Sequence, residues 1–340
     1  MRRVDVFLFL VLFCIVFLFE KCKKKNDLTD VSTEICTPDT SAYSLVVPAY
    51  FPDIPASNKM NLKKAKVELG KKLYYDPRIS SLGKSCSSCH IQSASFSSSA
   101  VNSLPHINLI FSKNFLWRGK IQTGLLDAMR FEVNEFFNTN PAVIQNDEEY
   151  KTLFCKAYGN TEITNEKIAE CLAQFIATIV SGNSKFERYL RGEVILSDSE
   201  FNGLNIFTTE KGDCFHCHAL PLMTDNSFRN IGLDSIFNST NWGLFEYTKY
   251  PYDIGKFKVP TLINVALTAP YMHDGRFQTL EEVINFYDHG IKYSTTLDPI
   301  MMKNNRLQTG LQLTEQEKED LKNFLLTLTD STLLTSSKFK

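Results

Sequence analysis

Two segments of this chain carry the same spacing of reactive side chains: Cys86-Ser87-Ser88-Cys89-His90 and Cys214-Phe215-His216-Cys217-His218. Two cysteines separated by two residues can reach both vinyl groups of one porphyrin, and the histidine that follows then meets the iron axially. Cys-x-x-Cys pairs also make redox disulfides or halves of a tetrahedral zinc site. Two copies, each closed by histidine on a chain with an export-type start, favour covalent attachment of haem c at both places. Two haems are therefore expected, with His90 and His218 as iron ligands.

The elements that must position these groups come from a chain of 340 residues, 43% hydrophobic and 22% charged, long enough for two haem-sized domains with their own cores. The net charge of −1 gives no support for nucleic-acid binding. Met1-Arg2-Arg3, an apolar run from Val6 to Phe19 and then Glu20 to Lys25 form the layout of an export signal. The run is short for a membrane span, which needs roughly 20 residues. Cys22 directly after it resembles the lipid-modified cysteine of a bacterial lipoprotein, although Glu20 and Lys21 stand where small residues are usual. Lipid anchoring through Cys22 is expected, with an uncleaved anchor or ordinary cleavage as alternatives, and each puts the folded part on the periplasmic side of the cell envelope. Of nine cysteines, Cys14 sits in the signal and Cys36, Cys155 and Cys171 are left over. A Cys155–Cys171 disulfide would join two consecutive helices; buried free thiols are the alternative.

Residues 1–22 thus read as signal and 23–60 as a polar, proline-punctuated tether and approach segment. Leu62, Ala65, Leu69 and Leu73 recur at helical spacing before Asp76-Pro77, and helical patterns cover roughly 143–158 and 166–180. Ser197 with Glu200, Thr279 with Glu282 and Thr314 with Glu317 are capping-box pairs that open further helices. In the helix after Thr279, Leu280, Val283, Ile284 and Tyr287 share one face, so Tyr287 points inward. The expected fold is mainly α, two c-type cytochrome-like haem domains (61–190 and 191–335) packed around a shared interface.

The second half carries Asn230-Ile231-Gly232-Leu233, Phe257 to Leu262, Thr268-Ala269-Pro270-Tyr271-Met272-His273-Asp274-Gly275 and Thr279 to Val283 around its haem motif. Together with Gly70 to Ser80 and Trp117-Arg118-Gly119 in the first half, these resemble the bacterial di-haem cytochrome c peroxidases and their relative MauG. The resemblance implies that hydrogen peroxide reacts at the amino-terminal haem, ligated by His90. The His218 haem then receives electrons from a small cytochrome c or cupredoxin. It implies a second axial ligand at Tyr287, the tyrosine of the MauG branch, with Met272, His273 and His289 as rivals. It implies a non-ligating role for His273 near the haems, places Trp117 in the family's tryptophan motif, and suggests calcium held by Asn102, Thr268 and Pro270.

The chain departs from this pattern after Trp117, where no glutamate stands in the expected place to move a proton between peroxide oxygens, a step worth roughly 10²- to 10⁴-fold. Asp127 and Glu132 are the available substitutes, and Gln122 a polar contact. His106, aligned as a threonine replacement after Pro105, reads as a surface or packing residue, and His216 as a bystander. The function expected is peroxide reduction, extending to MauG-like oxidation of a partner protein; the alternative is an electron-transfer cytochrome with a decayed reactive site. A homodimer is in keeping with the resemblance.

Overall fold

The computed structural model describes residues 36–303 and 308–340, so the export-type segment, Cys14 and Cys22 lie outside the described residues. The helical patterns become α1 (Lys64–Tyr75), α2 (Leu125–Phe131), α3 (Glu148–Tyr158), α4 (Asn165–Ala177), α5 (Lys185–Leu190), α6 (Asp198–Phe207), α7 (Phe245–Thr248), α8 (Leu280–Asn285), α9 (Glu315–Leu326) and α10 (Ser331–Thr335). The strands are two-residue ribbons: β1 (Phe228–Arg229) antiparallel to β2 (Phe257–Lys258), and β3 (Met302–Lys303) antiparallel to β4 (Gln308–Thr309).

Two helix crossings of the same design organise the body. At Gly70, where α1 crosses α4, an added Cβ would stand 1.9 Å from the Cys171 carbonyl oxygen; at Gly203, where α6 crosses α9, it would stand 2.0 Å from that of Asp320. Only glycine lets the backbones approach so closely, and a phenylalanine closes each crossing, Phe175 and Phe324. The chain has therefore built one helix-pair module twice, once in each half. The buried apolar residues of both halves form one continuous core.

All three expected capping boxes form, and Ser184 with Glu187 adds a fourth at the start of α5. Two expectations give way. Cys155 is disulfide-bonded while Cys171 is a buried free thiol 3.3 Å from the Tyr158 hydroxyl, so the two are not joined to each other. The approach segment, polar on average, also supplies core. Phe51 packs edge-on against Phe111, and buried Asn58 donates to the Ile110 and Ser112 carbonyls while accepting the Leu125 amide that opens α2.

Candidate haem centres

Each cysteine pair starts a single 3₁₀ turn, Cys86–Ser88 and Cys214–His216. The turn folds the following histidine back, so that the His90 amide donates to the Cys86 carbonyl at 2.9 Å and the His218 amide to the Cys214 carbonyl at 2.8 Å. Both imidazoles are then held alike: Nδ1 of His90 lies 3.0 Å from the Phe96 carbonyl oxygen, and Nδ1 of His218 lies 3.1 Å from that of Met223. Phe96 and Met223 adopt left-handed backbone, φ 55° and 54°, the turn that delivers these carbonyls. With Nδ1–H committed to a carbonyl, Nε2 keeps its lone pair for a metal. Burial supports this by lowering the His90 pKa to about 4, and that of His218 in the same direction, which favours the neutral ring in both.

Around His218 lies a predominantly apolar cleft lined by Cys214, Cys217, Leu280, Val283, Ile284 and Tyr287, among others. Helix α8 stops at Asn285 and continues as a π turn, Phe286–Gly290, which carries Tyr287. The inward face read from helical spacing survives this widening. Burial first, and then the Cys217 and Cys214 thiols, raise the Tyr287 phenol above its usual value.

Of the rivals to Tyr287, two share its cleft and one lies outside it. Met272 and His273 line the same cleft, but the His273 ring lies flat on Phe257, centroids 3.4 Å apart, and burial lowers its pKa to about 4. His289 is 67% exposed and turned to Asp288. His216 is also at the surface, 2.9 Å from Asp213. Trp117 lines the cleft and joins the halves: its indole donates to the Asn102 carbonyl and its own carbonyl accepts the Lys258 amide. Asn102, Thr268 and Pro270, distant in sequence, line this one cleft as well.

Around His90 the structure gathers Tyr74, His106, Cys86 and Glu132. The Tyr74 hydroxyl is 3.3 Å from both the His90 carbonyl oxygen and Nδ1 of His106. Glu132 opens the π turn Glu132–Phe136 that extends α2, close enough to Cys86 that its charge helps raise that thiol's pKa. Burial raises the Glu132 carboxyl to about 7. Asp127 instead accepts from Thr123, which, followed by its pairing with Arg130 at 2.7 Å, lowers its pKa, and exposed Gln122 donates to the Gly119 carbonyl.

Of the two roles expected for His106, the structure shows packing: its ring lies against His90 and Tyr74. Its amide donates to the Phe96 carbonyl as the Leu262 amide does to that of Met223, so by backbone it replaces Leu262 rather than Thr261. The chain has one residue fewer between proline and asparagine here, Pro105 to Asn108 against Pro260 to Asn264, which hid this register. Tyr74 and the two holding carbonyls escaped the sequence reading, because a buried helical tyrosine and a left-handed Phe or Met look ordinary in a sequence.

The residues fit c-type haem at both places: paired thiols, an imidazole held through Nδ1 by a backbone carbonyl and, around His218, an apolar cleft. Residues 64–194 match the family described as di-haem cytochrome c peroxidase. The methylamine utilization protein MauG of Methylophilus methylotrophus is 30% identical over 81% of this chain and 84% of its own length. The cytochrome c551 peroxidase of Nitrosomonas europaea is 32% identical over 64% of this chain and 71% of its own. A solved MauG-like protein associated with microbial copper homeostasis superposes with a TM-score of 0.74 at 29% identity, covering 88% of this chain and 99% of that one. The chain belongs to the di-haem cytochrome c peroxidase family and is, with that family, an oxidoreductase carrying two c-type haems.

Proposed function

We propose that this protein reduces hydrogen peroxide at the haem ligated by His90, in the half 61–190, using electrons that enter through the haem ligated by His218, in the half 191–335. When bound, the haems supply the redox chemistry that takes peroxide, two electrons and two protons to two waters. Cys86, Cys89, Cys214 and Cys217 anchor them. The observation that carries the reading is the twice-built cradle, each histidine held through Nδ1 by a left-handed residue's carbonyl.

The halves then differ in what the chain offers opposite the histidine. Tyr287, in the cleft with His218, would be the second protein ligand to that haem; a phenolate is a hard anionic donor that would favour the ferric state and lower the potential. Glu132 holds and releases the proton exchanged with peroxide, a role its pKa of about 7 suits at neutral pH. Asp127 and Gln122 are tied to Arg130 and Gly119, which favours Glu132 among the three. Trp117 and His273 wall the cleft that the two halves share.

A tyrosine in this position supports the MauG-like branch, in which a partner protein's side chains are the final reductant. The absence of a glutamate soon after Trp117 supports the second reading, an electron carrier with a decayed site. Our reading further includes a small cytochrome c or cupredoxin donor, calcium at Asn102, Thr268 and Pro270, export to the periplasmic side with a lipid at Cys22, and a homodimer. Among the described residues no helix is long and apolar enough to cross a membrane. Steady-state peroxide consumption by the mature protein with a reduced small cytochrome tests the proposal. Turnover lost in His90→Ala supports it; turnover absent from the parent leaves the carrier.

A further inference from the structure

The two haem ligands are held by the same carbonyl device but backed by different side chains. Behind His218 stands Leu262, whose amide binds the Met223 carbonyl at 3.2 Å. Behind His90 the residue in that backbone place is His106, whose amide binds the Phe96 carbonyl at 3.0 Å. Its ring lies flat against the His90 imidazole, centroids 3.4 Å apart and planes 13° from parallel. Tyr74 holds it there: its hydroxyl reaches Nδ1 of His106, and its ring packs edge-on against those of His106 and Phe96. An aliphatic side chain limits where a neighbouring ring can sit, whereas a stacked ring anchored by a hydrogen bond also limits how it can rotate.

We propose that His106 is a positioning residue for the reactive haem: stacked on His90 and anchored by Tyr74, it fixes the plane of the imidazole that would hold that haem, a constraint Leu262 does not impose on His218. Groups that orient a metal's ligand tune the metal, and their loss typically costs tenfold or more in activity. The inference rests on His90 being the first haem's ligand, which is tested separately by the loss of one haem signal in His90→Ala.

The test is electron paramagnetic resonance and redox titration of the mature di-haem protein, parent against His106→Leu and His106→Phe. His106→Leu, which copies the second site, is expected to shift the g values and potential of the first haem while leaving those of the second in place. Its reaction with peroxide is expected to slow about tenfold. His106→Phe keeps a flat ring and is expected to restore the parent's g values. Tyr74→Phe, which frees the anchor but keeps both rings, should broaden the first haem's signal and covers the case in which His106→Leu does not mature. An unchanged first-haem spectrum in His106→Leu overturns the proposal, as does an equal shift in the leucine and phenylalanine variants. If only Tyr74→Phe matures, a spectrum identical to the parent's overturns it.

Discussion

Glu132 and Tyr287 occupy the same place in the two halves of the molecule. Each lies seven residues past the first residue of its helix, Leu125 and Leu280, each follows a phenylalanine, and each belongs to the π turn that extends that helix. Glu132 perturbs the Cys86 thiol, and Tyr287 is perturbed by those of Cys217 and Cys214. One scaffold thus places a buried carboxyl near the first haem's attachment cysteines and a buried phenol near the second's. This asymmetry supports the proposal that peroxide reacts in one half and electrons enter through the other.

Replacing Tyr287 separates ligation from packing. Tyr287→Met exchanges a hard anionic donor for a thioether and should raise the second haem's potential; Tyr287→Phe should leave an open coordination position. Redox titration with resonance spectra of both variants reads this, and a second haem identical to the parent's in both would remove Tyr287 as ligand.

Glu132→Gln should lower the rate of reaction with peroxide by roughly 10²- to 10⁴-fold at pH 7 while both haems remain attached. In the parent the rate should rise with pH through about 7 as the carboxyl becomes able to accept a proton, and this limb should vanish in the variant.

The same group makes a stability prediction of definite sign. Its folded pKa, about 7, lies above the ordinary 4.5, so between these values the folded chain retains a proton that the unfolded chain releases. The Glu132 contribution is therefore fully present below about 4.5 and is lost as pH rises through 7. Thermal melts of parent and Glu132→Gln from pH 4 to pH 8 should show the variant gaining relative stability with pH; parallel curves would contradict the assignment.

Two substitutions test the scaffold. Gly203→Ala forces α6 away from α9 and should destabilise by roughly 3 kcal/mol, as overpacking of this kind does. Asn58→Ala strands two carbonyls and the first amide of α2, with a loss of about 2–4 kcal/mol. Denaturant melts of the mature protein measure both.

Much of this site was legible in the sequence because covalent attachment demands fixed residue types at fixed spacing, and because capping boxes announce helix starts. Leu280, Val283, Ile284 and Tyr287 kept their shared face although a π turn replaced the last helical turn, since an inward-facing apolar stripe tolerates one wider turn. Features set by backbone conformation were not legible. The left-handed turns at Phe96 and Met223 fall on residues that usually avoid them, and the missing residue between Pro105 and Asn108 concealed that His106 takes the place of Leu262. The disulfide state of Cys155 and the burial of Asn58 depend on contacts between segments far apart in sequence, which local composition does not encode.

The measurement that tests the central claim most directly is stopped-flow absorption of the mature di-haem protein mixed with one equivalent of hydrogen peroxide, alongside His90→Ala and Tyr287→Phe. The account predicts a prompt change in the haem bands of the parent, its loss in His90→Ala and an altered course in Tyr287→Phe. Haem bands of the parent that stay unchanged at stoichiometric peroxide would contradict it and leave an electron carrier.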